Sequence, residues 1–363
     1  MIRSSRCAEF MEREGRRKAV KNLLMVGIDK LIVIGGDGSL TGAETLRSEW
    51  PELVQELVDS EQVPQDSLQK HPHLMIVGLV GSIDNDMCGT EITIGANTSL
   101  HRITEAVDNI RTTATSHTRA FIVEVMGRRC GWLALNAALA VGADWLLIPE
   151  SPPPAGWETS MCRMLQRNRE LGKKATIVII AEGAVDRQNQ PIRAQHIQSG
   201  LTEHLHLDSR ITTLGHVQRG GSPSAYDRYL GTVQGVRAVR CLLSADPATC
   251  PSLLVVKREN KVSVEVLREC VERTKSVAEA MRSLDFERVF TQRDPDFINS
   301  YRLLQSLKVY DPQSPGMETL QSAPLKTIAV MHCGAPCAGM NAAVWAMVYY
   351  CLFRGYRVLG VGN

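Results

Sequence analysis

Five short loops of the sequence combine glycines with charged or polar side chains, and each follows a run of apolar residues. The first loop has the sequence GGDGS at residues 35–39. Glycines allow a phosphate group to approach the backbone closely, and a helix that begins here offers unpaired N–H groups and the positive end of its dipole. The carboxylate of Asp37 could hold Mg²⁺ against such phosphates. A tight turn in which Asp37 is the N-capping residue of the helix would explain the same sequence.

The second and third loops carry groups suited to acid–base chemistry and to phosphoryl transfer. The second is GSIDND at residues 81–86, where Asp84 and Asp86 could divide the work. One would accept a proton from a substrate hydroxyl, and the other would orient that hydroxyl or face a metal. An Asx-rich turn is the structural alternative. The third is MGRRCG at residues 126–131, where an always-charged guanidinium could bridge a transferring phosphoryl group.

The fourth and fifth loops add a second candidate anion site and a further carboxylate. At residues 210–223 the sequence RITTLGHVQRGGSP predicts a strand that ends in Gly-His, followed by an arginine, two glycines and a helix. His216 and Arg219 beside paired glycines suit a second phosphate group. In AEG at residues 181–183, Glu182 could accept hydrogen bonds from sugar hydroxyls or could simply cap a loop. Five such loops at strand ends are hard to obtain from core packing alone, and ligands of open α/β sheets bind at strand ends.

Arg119 is separated from the third loop by a whole predicted strand. It lies nine residues before Arg128, and nine extended residues span about 30 Å. The two side chains therefore cannot reach the same pocket of one subunit. Arg119 is either a solvated charge at a strand end or a group that serves a neighbouring chain.

The apolar runs between the loops predict a parallel sheet with helices on both faces. Each run is short, bounded by Gly or Pro and free of alternation, which is typical of strands that are buried on both sides. Strands are predicted at residues 31–34, 75–80, 120–125, 146–149 and 176–181. Amphipathic stretches between them predict helices at about 8–26, 42–59, 100–115, 131–141 and 158–171. The order of elements indicates right-handed βαβ units and an α/β fold.

Composition sets the broad class of protein. The 363 residues predict two or three domains, and 41 Lys and Arg against 39 Asp and Glu give a net charge of +2. A chain with such balanced charges has no overall electrostatic field that would attract nucleic acid or an acidic membrane. Ten scattered cysteines without a CxxC pair indicate reduced thiols. The sequence has no signal peptide, and its longest apolar run, residues 342–353, is too short to span a bilayer, so a cytoplasmic protein is expected.

The two ends of the sequence depart from a complete α/β pattern. A proline-rich stretch at about residues 291–326 predicts a connector with one helix that begins at Asp294-Pro295. Beyond it, residues 327–331 predict a strand, residues 334–341 a glycine-containing loop, and the following small residues a helix. The chain stops just after another predicted strand, and it starts on a loop and a helix instead of a strand. We therefore expect a fold that is truncated at both ends.

The motifs IGGDGSLTGA, VGSIDND, EVMGRRCG, AEG and LGHVQRGGSPSA, in this order, resemble the signatures of ATP-dependent 6-phosphofructokinases of the duplicated eukaryotic type. The resemblance runs from Arg6 to the C-terminus. It implies a three-layer parallel-sheet phosphofructokinase-like fold, with two lobes around a cleft. The implied parts are a nucleotide-binding lobe at 1–95 with 220–285 that lacks its first strand and glycine loop, a sugar-phosphate lobe at 96–219, a connector at 286–326, and the start of a second, regulatory half at 327–363.

The same resemblance implies a reaction and a role for each matching residue. MgATP would phosphorylate the C1 hydroxyl of fructose 6-phosphate to give fructose 1,6-bisphosphate, with Asp84 as the base, Arg128 offsetting the developing charge, and Asp37 as the Mg²⁺ ligand. The residues that would hold ATP are Arg6, Cys7, Gly36, Asp37, Gly38 and Ser39. The residues that would hold fructose 6-phosphate are Ser82, Ile83, Asp84, Arg119, Met126, Gly127, Arg128, Glu182, Arg210, His216, Val217, Gln218 and Arg219.

The resemblance also implies an assembly. Arg119 and Arg210 match the arginines that this family lends across a subunit interface, so the active unit is expected to be a homo-oligomer, a tetramer in full-length members. The loops at 35–39, 82–86, 126–131 and 216–221 are expected to converge on the cleft. The carboxylates of Asp37 and Asp84 should then lie within about 10 Å, since a metal and a phosphoryl group must fit between them.

Two alternative functions stay open. The first is a catalytically silent interaction or regulatory subunit, because the family's leading strand and its G-G-D-x-x-G-M-N loop are absent, and the similar loop at 334–341 resembles the copy in the second half. The second is a pyrophosphate-dependent relative. Gly38 and Gly81 argue against it, since that branch tends to carry Asp and Lys at these positions, which close the space that an adenosine needs.

Overall fold

The computed structural model describes residues 7–170, 172–307 and 326–361. Arg6, residues 308–325 of the predicted connector and the last two residues lie outside the described residues. Contacts between Cα atoms divide the chain into two compact units. Unit 1 comprises Met1–Ser99 with Arg219–Asp294, and unit 2 comprises Leu100–Gln218 with Pro295–Asn363.

The described residues form an α/β fold, as predicted. The strands are β1 (Lys30–Gly35), β2 (Met75–Val80), β3 (Ala120–Val125), β4 (Trp145–Leu147), β5 (Thr176–Ala181), β6 (Ser209–Thr213), β7 (Leu253–Arg258), β8 (Lys261–Val266), β9 (Thr327–Met331) and β10 (Arg357–Val361). The helices are α1 (Arg13–Met25), α2 (Asp37–Asp59), α3 (Ser67–Lys70), α4 (Ala96–His117), α5 (Trp132–Val141), α6 (Trp157–Glu170), α7 (Ala194–Leu205), α8 (Ala225–Ser244), α9 (Leu267–Arg282), α10 (Phe286–Gln292), α11 (Pro295–Ser306) and α12 (Met340–Phe353). None of these helices is both long and apolar enough to cross a membrane.

Unit 1 is built on a four-stranded sheet with the order β1-β2-β7-β8. The first three strands are parallel, and β8 is antiparallel to β7. The amphipathic helix α2 covers one face, where Leu40, Trp50 and Leu53 are buried against the strand residues Ile76 and Val80. The periodicity of apolar residues along α2 thus explains why this helix lies on the sheet.

The prediction that residues 31–34 are buried on both faces is wrong. Leu31 and Val33 pack against the core around α2, whereas Ile34 is 64% exposed on the other face. β1 is the edge strand of this sheet in the described chain, so a purely apolar run here does not imply cover on both sides.

Unit 2 contains a fully parallel four-stranded sheet with the order β4-β5-β3-β6. All six residues of β5 are buried, as its uninterrupted apolar sequence predicts. Because the strands are parallel, the loops that follow β3, β5 and β6 all start at the same edge of the sheet. Unit 2 also includes a two-stranded parallel sheet of β9 and β10, which are joined by α12.

Candidate functional site

The first glycine loop connects β1 directly to α2. Gly36 is the N-cap residue and Asp37 is the first residue of the helix, so Asp37 is not the N-capping residue. Its Oδ1 accepts a hydrogen bond from the Thr41 hydroxyl, one helical turn later, at 3.3 Å. A Cβ at Gly35 would lie 2.6 Å from the Cβ of Ser39, so the tight turn requires glycine there. Around Gly38, in contrast, a Cβ would meet no atom within 4 Å.

The second loop starts beside the first one. Gly35 is paired with Val80 across the sheet, and the Gly81 N–H donates to the Gly35 carbonyl oxygen at 3.0 Å. A Cβ at Gly36 would lie 3.9 Å from the Cβ of Ser82. Residues 35–39 and 81–86 are therefore neighbours at the carboxyl edge of one parallel sheet within unit 1.

Hydrogen bonds on both sides of Asp84 fix the second loop. The Ser82 hydroxyl donates to Asp86 Oδ1 at 2.9 Å. Asn85 has a φ of +52°, and its side chain donates to the Glu91 carbonyl oxygen at 2.9 Å and accepts from the Thr93 N–H at 2.8 Å. The hydrogen bonds of Ser82 and Asn85 thus hold the loop on either side of the half-buried Asp84.

A buried carboxylate that the sequence motifs do not predict holds the segment after this loop. Asp227 of α8 is 4% exposed and accepts hydrogen bonds from the N–H groups of Gly95 and Thr98 at 2.9 and 2.8 Å, and from the Thr98 hydroxyl. It thereby satisfies the amino end of α4, where unpaired N–H groups need acceptors. An Asp in the first turn of a helix that follows SPSA is a weak signal for such a long-range contact.

The third loop in unit 2 exposes its arginine while its backbone is tightly packed. Gly127 has a φ of +124°, and a Cβ there would lie 2.4 Å from the Cys130 carbonyl oxygen. A Cβ at Gly183 would lie 1.9 Å from the carbonyl oxygen of Arg128, so the loops after β3 and β5 touch backbone to backbone. The Arg128 side chain is 82% exposed, and its Nε lies 4.0 Å from Glu182 Oε1. The guanidinium is thus placed beside a carboxylate and still faces solvent.

The predicted residues after β6 differ in where their side chains lie. Gly215–Arg219 forms a short 3₁₀ turn, in which His216, Val217 and Arg219 are exposed. Gln218, predicted to contact substrate, is only 1% exposed. Its side chain is bonded to the backbone of Met126 and of Gly215.

Arg119 and Arg210 lie at the amino edge of the same sheet. Arg119 directly precedes β3, whereas Arg128 lies three positions after Val125, the last residue of β3. Ala120 is paired with Ser209, which brings Arg119, Asp208 and Arg210 together. Asp208 accepts from the Arg119 Nε and forms an ion pair with the Arg210 Nη1, each at 2.6 Å.

Of the predicted ATP-binding residues, Cys7 is exposed and Arg6 lies outside the described residues. All ten cysteines are described, and none of them forms a disulfide in the structure. Among the described residues no group of three or more His, Cys, Asp or Glu side chains could hold a metal ion.

A sequence model of the family described as Phosphofructokinase matches residues 1–242 of this chain. The chain belongs to this family. It is 49% identical over 363 residues to ATP-dependent 6-phosphofructokinase 2 of Aspergillus oryzae, a match that covers 100% of this chain and 46% of the relative. It is 47% identical to the beta subunit of the Candida albicans ATP-dependent 6-phosphofructokinase, covering 100% of this chain and 38% of that subunit. The chain thus spans less than half the length of these two relatives.

The fold agrees with this assignment. The phosphofructokinase of Saccharomyces cerevisiae superposes with a TM-score of 0.93 at 45% identity, and the match covers 99% of this chain and 47% of the yeast chain. The prediction of a phosphofructokinase-like α/β fold from the five motifs is therefore confirmed.

Proposed function

We propose that this chain carries the chemistry of an ATP-dependent 6-phosphofructokinase, the transfer of the γ-phosphoryl group of ATP to the C1 hydroxyl of fructose 6-phosphate. The observation that carries the proposal is the adjacency of two loops in unit 1. The glycine loop that presents Asp37 and the loop that presents Asp84 start from paired strands and lie side by side at the carboxyl edge of one sheet. This edge is where ligands of open α/β sheets bind.

Asp84 is the general base in this proposal. Its carboxylate takes the proton of the C1 hydroxyl as that oxygen attacks the γ-phosphorus in line with the leaving ADP oxygen. The bonds of Ser82 and Asn85 keep the loop on either side of Asp84 in one conformation. A carboxylate held in this way can meet the hydroxyl without a further reorganisation of the loop.

Asp37 is the residue that would hold Mg²⁺. Mg²⁺ keeps several waters and is usually bound by one or two carboxylates together with substrate phosphates, so a single carboxylate at the start of α2 fits it. Bound there, Mg²⁺ would supply positive charge to the phosphate oxygens. The positive end of the α2 dipole attracts the same phosphates. Gly36, Gly38 and Ser39 let the phosphates approach the backbone closely.

Arg128 and Glu182 act on the transferred group and on the sugar, respectively. The exposed guanidinium of Arg128 offsets negative charge that develops on the transferring oxygens, while the backbone contact with Gly183 keeps its Cα in place. Glu182 accepts hydrogen bonds from sugar hydroxyls. The exposed side chains of His216 and Arg219 bind phosphate, which suits their charge and position after β6.

Arg119 and Arg210 serve a neighbouring subunit, because they lie at the amino edge of the sheet, away from the loops that follow β3 and β5. The active protein is then a homo-oligomer, a tetramer as in full-length members. In this proposal residues 1–95 with 220–285 bind the nucleotide and residues 96–219 the sugar phosphate. Residues 286–326 are a connector, and residues 327–363 start a second half.

Gly38 favours ATP over pyrophosphate as the donor, since no side chain at this position occupies the space beside the glycine loop, where an added Cβ would meet nothing within 4 Å. The test is phosphoryl transfer by the purified chain. Radiolabel should pass from γ-labelled ATP to fructose 6-phosphate in the presence of Mg²⁺, should be lost in Asp84→Asn, and should not come from labelled pyrophosphate. Transfer that is equal in the wild-type chain and Asp84→Asn would overturn the assignment of the base. A folded chain that transfers no label would favour the alternative function, a catalytically silent interaction or regulatory subunit.

A further inference from the structure

Gln218 is buried in a turn whose neighbouring side chains face solvent. It is 1% exposed, whereas His216 and Val217, directly before it, are exposed. A buried primary amide must place its N–H donors and its carbonyl acceptor against suitable partners. The side chain of Gln218 therefore points into unit 2 and away from solvent.

Both ends of the Gln218 amide bind backbone groups of site loops. Its Oε1 accepts a hydrogen bond from the Met126 N–H at 3.2 Å, and its Nε2 donates to the Gly215 carbonyl oxygen at 3.0 Å. Met126 is the first residue after β3, and Gly215 starts the turn after β6. One side chain thus joins the segments that follow two neighbouring strands.

The loop that begins at Met126 carries Arg128, and a second buried group holds its other end. The Gly131 N–H lies 3.0 Å from each carboxylate oxygen of Glu150, a residue that is 1% exposed. The loop is therefore anchored at its first and last residues by buried side chains. Arg128 lies between these anchors and is 82% exposed.

We propose that Gln218 is a positioning residue. It fixes the start of the Arg128 loop against the turn that carries His216, so that both keep one arrangement before substrate binds. This replaces the direct substrate contact that the motif predicts for Gln218. The catalytic consequence rests on the proposed function, in which Arg128 stabilises charge in the transition state. The geometric consequence, a Met126 N–H protected by a side chain, stands on its own.

Three variants separate the bonds of Gln218 from simple packing. Gln218→Leu keeps the approximate shape and removes both hydrogen bonds. Gln218→Glu keeps the acceptor for the Met126 N–H and removes the donor to the Gly215 carbonyl oxygen. This variant tests the same bonds if Gln218→Leu does not fold. Gln234→Leu is the matched control, since Gln234 is also a buried glutamine, 2% exposed on α8, and its Oε1 has no hydrogen-bond partner among the described residues.

Hydrogen exchange of the Met126 amide and steady-state phosphoryl transfer are measured on each variant of the 363-residue chain. We expect Met126 to exchange at least tenfold faster in Gln218→Leu and to stay largely protected in Gln218→Glu. We expect kcat to fall about 10- to 100-fold in Gln218→Leu with the KM for ATP unchanged, because a displaced loop costs orientation in the transition state. Gln234→Leu should match the wild type in both measurements.

Met126 exchange at the wild-type rate in a folded Gln218→Leu variant would overturn the proposal. Fast Met126 exchange in Gln218→Glu, which keeps the acceptor, would overturn it as well. Faster exchange with an undiminished kcat would also overturn it. A wild-type chain without phosphoryl transfer would instead refute the proposed function, and Met126 exchange would still decide whether Gln218 holds the loop.

Discussion

Arg119 and Arg210 bind the two oxygens of one carboxylate, that of Asp208, at 2.6 Å each. The two guanidinium groups come from the starts of adjacent parallel strands, and Asp208 offsets the repulsion between them. All three side chains keep contact with solvent, with exposed fractions between 29% and 54%. Each guanidinium still has further N–H donors for an incoming anion.

Removal of the Asp208 carboxylate should disorganise this pair of arginines. In Asp208→Ala we expect the KM for fructose 6-phosphate to rise about tenfold with little change in kcat, because phosphate binding is weakened and the reacting groups are untouched. Stability should change by less than about 1 kcal/mol, as is usual for exposed ion pairs. Glu203→Gln, an exposed position on α7, is the control. A variant with an unchanged KM would contradict the role of Asp208.

Asp84→Asn tests the proposed role of Asp84 as the general base. The amide keeps the shape of the side chain but cannot take the hydroxyl proton, so kcat should fall by about 10²–10⁴-fold while the KM for fructose 6-phosphate changes little. If Asp84 only stabilises a turn, the melting temperature should drop and the folded fraction should keep its kcat. Kinetics and a thermal melt of the same preparation distinguish these results.

Asp37→Asn should act on the metal and on the nucleotide. We expect the Mg²⁺ concentration at half-maximal rate to increase and the KM for ATP to rise, since a neutral amide is a poorer Mg²⁺ ligand than a carboxylate. The KM for fructose 6-phosphate should stay near the wild-type value. A Mg²⁺ dependence identical to that of the wild type would remove Asp37 from the metal site.

Gly183→Ala should disturb the Arg128 loop through the backbone. The new methyl group would lie 1.9 Å from the Arg128 carbonyl oxygen, so the two loops must separate. We expect a loss of about 1–3 kcal/mol of stability, as for other overpacked sites, together with a lower kcat.

Gly200→Ala is the matched control for Gly183→Ala. A Cβ at Gly200 on α7 meets nothing within 4 Å, so this change should stabilise the helix by up to about 1 kcal/mol. Equal melting temperatures for the two variants would refute the contact.

Buried thiols should make the protein less stable at alkaline pH. Burial raises the pKa of Cys88 and Cys270, so the folded state keeps these thiols protonated where the unfolded chain loses their protons. The contribution to stability is complete below the ordinary thiol pKa of about 8.5 and falls as pH rises through that value. Denaturant unfolding in reductant at pH 7 and pH 9.5 measures the difference. Cys88→Ala with Cys270→Ala should reduce it.

Several elements could be predicted from sequence because a single physical signal decides them. The strands at residues 75–80, 120–125 and 176–181 have the predicted bounds, since a short, mostly apolar run is typical of the interior of a parallel sheet. The same signal at residues 31–34 belongs to the edge strand β1, so it does not by itself show cover on both faces. The β7–β8 hairpin was missed. Its turn residues, Glu259 and Asn260, both have positive φ values, as a tight hairpin requires, but they lack the glycine that usually marks such turns.

The site illustrates a different limit. Motif order predicts which loops carry the proposed chemistry, because glycine and charged side chains at strand ends have few structural uses. It does not show the direction of each side chain within a loop. Gln218 lies between exposed residues in the sequence and is nevertheless buried, since a 3₁₀ turn points successive side chains to different sides. Asp208 and Asp227 act through partners about 90 and 130 positions away, which no local pattern reveals.

Strand β3 has a cationic residue near each end, Arg119 before it and Arg128 after it. It is flanked on both sides by parallel partners, β5 and β6, so it cannot slide along its own axis without breaking both ladders. If one arginine works in its own subunit and the other in a neighbour, the strand sets a constant spacing of about 20–30 Å between two reaction centres. A lengthened or shortened β3 would therefore change the geometry of the whole assembly, whereas a loop insertion would alter one centre alone.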